Sequence, residues 1–112
     1  MDNLKTTGKP RQFDTGAQRD SGEGKLRMSL VPHKALNSVM VRYLQGADTY
    51  GENNWKKGMK HSVLYDSTMR HLMQDFTGDD SEDHLGAALW NIMGMIWNRD
   101  NKPEMDDRND YQ

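Results

Sequence analysis

The sequence predicts an all-α fold, a small helical bundle of about three main helices with polar N- and C-terminal extensions. Three observations carry this expectation. Apolar residues recur at helical spacing in three separate stretches. Start and stop residues bound those stretches. No stretch alternates apolar and polar residues as a half-buried strand does, and no internal repeat occurs.

The first helix is expected after Pro32, a residue whose fixed φ suits the first helical position. Its stripe is Leu36, Val39, Met40, Tyr43, Leu44 and Ala47, with Gly46 near the end. The second runs from about His61 to Phe76, with Leu64, Met69, Leu72, Met73 and Phe76 as its stripe and Gly78 as its stop. The third begins after Asp80-Ser81, either of which can cap free amides. Glu82 and Asp83 then fall in its first turn, on the favourable side of the helix dipole. Leu85, Ala88, Leu89, Ile92 and Ile96 form one stripe, and Trp90, Met93 and Trp97 widen it. A helix apolar on so many sides belongs inside a bundle or at a subunit interface.

Composition bounds what such a bundle can be. The chain has 112 residues, enough for one domain. Apolar residues make up 34% and mean hydropathy is −1.02, so the core is small. No apolar run is long enough to span a bilayer, and no charged start precedes an apolar stretch as in a secretory signal. A soluble, cytoplasmic protein is therefore expected, with no membrane partner. The absence of Cys removes disulfides, thiolate metal sites and Cys nucleophiles. A net charge of −2 argues against a nucleic-acid partner. Residues 1–24 read as a polar arm, with Phe13 as its one candidate anchor. Residues 25–98 hold the helical domain, and residues 99–112 form a polar, acidic tail that Pro103 separates from any helix. About 75 folded residues rarely bury enough alone. Met40, Met69, Met73, Met93, Met95, Trp90 and Trp97 exceed what three short helices hide. A homo-oligomer is expected, with sites near its interface.

Four features can carry chemistry. Along the third helix, His84, Ala88, Asn91, Met95 and Asn98 fall near one line, with Ala87 and Gly94 beside it. Small residues leave room and His84 and Asn91 offer hydrogen bonds, although a close helix crossing would need the same residues. On the second helix, Asp66 and Arg70 are four apart, as are His71 and Asp75. A carboxylate can orient a His ring for metal or proton transfer, and either pair also suits a plain surface contact. The run from Gly78 to His84 packs four carboxylates and one His, suited to a hard cation such as Mg²⁺ or simply to helix capping. No His-x-x-x-His pair and no EF-hand spacing occurs. Between the first two helices, Tyr50 and Trp55 offer flat faces, Asn53 and Asn54 offer donors and acceptors, and Lys56 and Lys57 offer counter-charge for phosphate. Upstream, Gly22 to Arg27 adds glycines and two cations that can hold an anion without forming a P-loop.

In combination, the segments GKLRMSLVP, QGADTYGENNWKKGM, MRHLMQDFTG and EDHLGAALWNI resemble the phage dATP/dGTP diphosphohydrolase N-terminal domain family over roughly residues 19–97. The resemblance implies cleavage of a purine (d)NTP to (d)NMP and pyrophosphate in an infected host cell. The helical arrangement also looks like MazG-type pyrophosphohydrolases, which use acidic residues and Mg²⁺. Carried onto this chain, the GK-R segment places Lys25 and Arg27 at phosphate, with Lys57 assisting. The YG-NW segment places Tyr50, Asn54 and Trp55 at base or sugar. Arg70 and His71 form the RH pair, and Asn91 closes the last motif. Glu82 and Asp83 become the expected metal ligands, with His71, His84 and Glu82 as the catalytic candidates.

The chain departs from the MazG pattern. The stretch Asp66 to His71 has no E-x-x-E pair, and Ala87 stands where the Asp of E-x-x-D would fall. Two functional classes follow. One is a Mg²⁺-dependent purine (d)NTP diphosphohydrolase. The other is a non-catalytic module that sequesters a nucleotide or nucleotide-derived host immune signal. A purely structural, self-associating phage protein is a third. An enzyme requires Glu82, Asp83, His71 and His84 near one phosphate position. A sequestering module requires Lys25, Arg27, Lys57 and Arg70 around an anion, with the carboxylates elsewhere.

Overall fold

The computed structural model describes residues 8–112; the chain falls into two units, Met1–His33, of which residues 8–33 are described, and Lys34–Gln112. The described part of the first unit is built on a short hairpin. Strands β1 (Arg11–Gln12) and β2 (Gln18–Arg19) pair antiparallel, Arg11 opposite Arg19. Gly16 takes φ 89° at the tip, a conformation a side chain would strain. Its N–H donates to the Phe13 carbonyl, and the Phe13 N–H donates to the Ala17 carbonyl. The Arg11 guanidinium lies 5.7 Å from the Phe13 ring centroid. The Phe13 side chain is exposed, and it is the Phe13 backbone that closes the turn.

The second unit is an all-α bundle of helices α1 (Leu36–Tyr50), α2 (His61–Phe76) and α3 (His84–Asn101), with short 3-10 turns between and after them. Helix α1 follows a 3-10 turn at His33–Ala35 and ends at Gly51, φ 91°, rather than near Gly46. The α2 bounds are those the periodicity predicts. Helix α3 starts later than expected. Asp79 is engaged by Ser81, whose N–H and hydroxyl both donate to its carboxylate. The cap is instead Asp83, which accepts the Gly86 N–H at 3.0 Å. Glu82 and Asp83 therefore precede the helix. Among the described residues no helix is long and apolar enough to cross a membrane.

The helices bury only part of their predicted apolar stripes, Val39 on α1, Leu64 on α2 and Ala88 on α3. On α2 the buried residues are Leu64 and Thr68, while Phe76 is 92% exposed and Met69, Leu72 and Met73 also face solvent. On α3 the line of small and polar residues, His84, Ala87, Ala88, Asn91 and Asn98, is buried, and Leu85, Ile92 and Ile96 are exposed. Close approach explains the choice. A Cβ at Gly94 would stand 3.4 Å from the Leu64 side chain, and one at Gly86 would stand 2.9 Å from the Ser38 carbonyl. Small residues let α3 lie tightly against both neighbours, so the backbones meet along its polar line. Each polar group there has a partner. Asn91 Nδ2 donates to the Ala87 carbonyl and Ser67 Oγ, Asn98 Nδ2 to the Met59 carbonyl, and Thr68 Oγ1 to the Leu64 carbonyl. Val39 and Leu64 are the large buried aliphatics, each contributing about 1.5–3 kcal/mol.

Residues 99–112 are folded as well. Helix α3 runs on to Asn101, and Pro103 opens a 3-10 turn over Pro103–Met105. A second turn covers Arg108–Tyr111. Between them Asp107 accepts the Ser62 N–H at 2.9 Å and its hydroxyl, supplying the cap that Lys60 lacks. Gly58, φ 88°, leaves room for the tail, because a Cβ there would meet Lys102 at 2.8 Å.

Candidate functional site

The crossing of α2 and α3 brings together two imidazoles from separate motifs. His71 sits in the third turn of α2 and His84 is the first residue of α3. Their Nδ1 atoms are 2.9 Å apart. His84 is 3% exposed. Its Nε2–H donates to Asp79 Oδ2 at 2.6 Å, since an ionised carboxylate can only accept. That bond leaves a lone pair on His84 Nδ1, aimed at His71 Nδ1. Two lone pairs cannot face each other at this distance, so a proton or a cation lies between the rings.

Glu82 completes the cluster. Its Oε1 is 3.8 Å from His71 Nδ1, and ligand atoms of His71, Glu82 and His84 all lie within 4.8 Å of one another. Arg42 of α1 holds Glu82 in place, with Nη2 donating to Oε1 at 2.7 Å and to the Asp83 carbonyl at 3.0 Å. The charges match this geometry. Desolvation pushes the His71 pKa below its ordinary value, partly offset by Glu82. The hydrogen bond from His84 lowers Asp79, and that from Arg42 lowers Glu82. The Gly86 N–H, and then Ser38, lower Asp83. At neutral pH the three carboxylates are ionised and His71 is neutral.

A cleft of about 340 Å³ opens beside this cluster, within the size range of small-molecule sites. Its lining includes the second half of α1 from Arg42 to Tyr50, the loop residues Gly51, Asn53, Asn54 and Trp55, Ser67 and His71 of α2, and Ala87, Trp90 and Asn91 of α3. The loop is shaped by left-handed backbone at Asn53, φ 64°, a conformation that Asn tolerates. Trp55 stands edge-on between Tyr43, at 6.0 Å, and Trp97, at 5.1 Å. It is a rigid wall. Tyr50 is 71% exposed, so its ring is available for stacking.

The sequence-expected residues distribute unevenly. Tyr50, Asn54, Trp55, His71 and Asn91 line the cleft. Glu82 and His84 stand against His71. Asp83 turns to cap α3 and lies outside the cluster of possible ligands. Arg70 is exposed beside Ser67, and Lys57 is exposed with its neighbour Lys56 over the Trp55 ring; neither lysine nor Arg70 lines the cleft. Lys25 and Arg27 lie in the first unit, both exposed. Two residues were not anticipated. Arg42 is the guanidinium that lines the cleft, and its signal was a lone cation between Val41 and Tyr43 in an otherwise apolar turn. Asp79 is the carboxylate that orients His84, five residues away in sequence.

Comparison with known proteins agrees with the resemblance in these motifs. Residues 15–108 match the family described as dATP/dGTP diphosphohydrolase, N-terminal. A dATP/dGTP diphosphohydrolase of Salmonella phage PMBT28 is 30% identical over 99 residues, covering 84% of this chain and 33% of that protein. The chain thus spans about a third of the length of that relative. No solved structure matches it. With nearly all of the second unit and its cleft inside the matched region, the chain belongs to the dATP/dGTP diphosphohydrolase N-terminal family.

Proposed function

We propose that the cleft binds a purine (d)NTP and that the chain serves its hydrolysis to (d)NMP and pyrophosphate. The observation that carries this reading is one cleft lined by Tyr50, Asn54, Trp55 and Asn91 that also holds Arg42 and His71. The first four offer a stacking ring, a wall and amide groups for base and sugar. Arg42 offers a planar fork that matches phosphate oxygens. Lys57 and Arg70, on the same unit as the cleft but outside its lining, offer outer counter-charge.

His71 faces the cleft while His84 and Asp79 hold its ring from behind. It is placed to orient a water for attack on phosphorus. Glu82, ionised and paired with Arg42, fixes where that guanidinium points. The donors at the cluster are two imidazoles and one carboxylate, and Asp83 is committed to its cap. This set does not fit resident Mg²⁺, which takes oxygen ligands. Mg²⁺ enters instead as the counter-ion of the triphosphate and belongs to the substrate.

The exposed apolar side chains of α2 and α3 support self-association, as the sequence leads one to expect. We place its action in the cytoplasm of an infected cell, a reading that the phage source of its relative supports.

Binding is tested by titrating the 112-residue chain with Mg·dATP and Mg·dGTP in a calorimeter, beside Tyr50→Ala and Arg42→Gln. Saturable binding that both substitutions weaken supports the reading. Binding that neither changes, or no binding, places the nucleotide site elsewhere.

A further inference from the structure

We propose that His71, Glu82 and His84 form a binding site for a borderline divalent transition ion, of the class of Zn²⁺, Co²⁺ or Ni²⁺. Three independent features point there. The first is spacing. An ion about 2.0–2.1 Å from each of two imidazole nitrogens holds those nitrogens about 2.9 Å apart at a right angle and about 3.3 Å apart at a tetrahedral one. His71 Nδ1 and His84 Nδ1 are 2.9 Å apart with no third group between them.

The second is orientation. Metal-ligating imidazoles almost always donate their other N–H to a carboxylate or carbonyl, which sets the tautomer and raises the basicity of the ligand nitrogen. His84 does so toward Asp79 Oδ2 at 2.6 Å, leaving Nδ1 as the ligand atom.

The third is the remaining donor set. Glu82 Oε1 is 3.8 Å from His71 Nδ1, and the three ligand atoms lie within 4.8 Å of one another. Two imidazoles and one carboxylate select a borderline ion over Mg²⁺ or Ca²⁺. Three protein ligands also leave coordination positions open, the pattern of catalytic rather than structural sites. His71 lines the cleft, so an open position would adjoin it. When bound, such an ion supplies Lewis acidity and a more acidic water. His71 is then a ligand, and the proton otherwise shared by the two rings is displaced.

The test needs no nucleotide, so its failure leaves the reading of the cleft untouched. The chain is stripped with a chelator and titrated with Co²⁺, followed by visible absorption and by calorimetry. One ion per chain is expected, displaced by Zn²⁺ and not by millimolar Mg²⁺. His71→Gln and His84→Gln should each abolish the visible bands, and Asp79→Asn should weaken binding about 10–100-fold. His61→Gln, outside the cluster, should change nothing. Circular dichroism checks that each variant folds. If buried His84→Gln does not, the partly exposed His71→Gln carries the test. Absence of Co²⁺ bands, or bands that survive His71→Gln, overturns the proposal and leaves a proton between the two rings.

Discussion

Asp79 accepts a 2.6 Å hydrogen bond from Nε2 of His84, a nearly buried ring whose other nitrogen faces His71. Asp79 is thus a positioning residue that acts through His84. Asp79→Asn keeps the size and removes the charge. The amide can present either its oxygen or its NH₂ to the ring, so the tautomer is no longer dictated. Nitrogen chemical shifts of the His84 ring should then show a mixture of tautomers, where the unaltered chain shows Nε2–H alone. A single unchanged tautomer in the variant would remove Asp79 from this role.

Gly86 is a point of close approach between α1 and α3. An added Cβ would stand 2.9 Å from the Ser38 carbonyl and 2.7 Å from Asp83 Oδ2. The backbone oxygen cannot move aside without shifting α1. Gly86→Ala should therefore destabilise the chain by about 1–3 kcal/mol, as overpacking does elsewhere, despite the better helix propensity of Ala. Urea unfolding measures it. An unchanged or raised midpoint would show that the crossing has slack.

Asp107 ties the C-terminal turns to the first turn of α2. The hydrogen bond from the Ser62 side chain lowers its pKa below the ordinary value of 3.8. A depressed folded-state value gives stabilisation that is fully present above the ordinary carboxylate range and is lost as pH falls through the folded-state value. The thermal midpoint should fall on acidification below about pH 4, and Asp107→Asn should flatten part of that fall while lowering the midpoint at pH 7. Parallel curves for the two proteins would show that Asp107 carries none of the acid sensitivity.

Much of the fold was legible. The α2 limits follow from its stripe and Gly78, and Pro103 marks where α3 gives out. The helix faces were not, for a physical reason. Periodicity identifies the apolar side of a helix, but two backbones meet where side chains are small. On α3 that is the line through His84, Ala88 and Asn91, which left Ile92 and Ile96 outside. The same line is unusual in the sequence for its small and polar residues, and it is what carries His84 to His71. Arg42 and Asp79 were missed because their roles depend on contacts across 40 residues and across a turn, respectively. The capping role of Asp107 was hidden likewise, 45 residues from Ser62.

Phe76 has 92% of its surface exposed at the end of α2, beside exposed Leu72 and Met73. If that face is covered by a second copy, Phe76→Glu should shift the chain from oligomer to monomer in analytical ultracentrifugation at micromolar concentration. A monomer peak for the unaltered chain would count against self-association.

Tyr50 presents an exposed ring at the rim of the cleft and takes part in none of the aromatic contacts among Tyr43, Trp55, Trp90 and Trp97. Loss of base stacking costs about 1–3 kcal/mol, about 5- to 150-fold in affinity. Tyr50→Ala should weaken purine nucleotide binding by that factor and leave the thermal midpoint unchanged. Equal affinity for the variant would move the base away from Tyr50.

The direct measurement incubates the chain with a panel of dNTPs, NTPs and cyclic nucleotides, with and without Mg²⁺, and separates the products by ion exchange. The account predicts that dATP or dGTP becomes monophosphate and pyrophosphate, and that His71→Gln abolishes this. A nucleotide that binds tightly but is recovered intact from the chain would contradict hydrolysis and leave a sequestering protein. Failure of every nucleotide to bind would contradict the account as a whole.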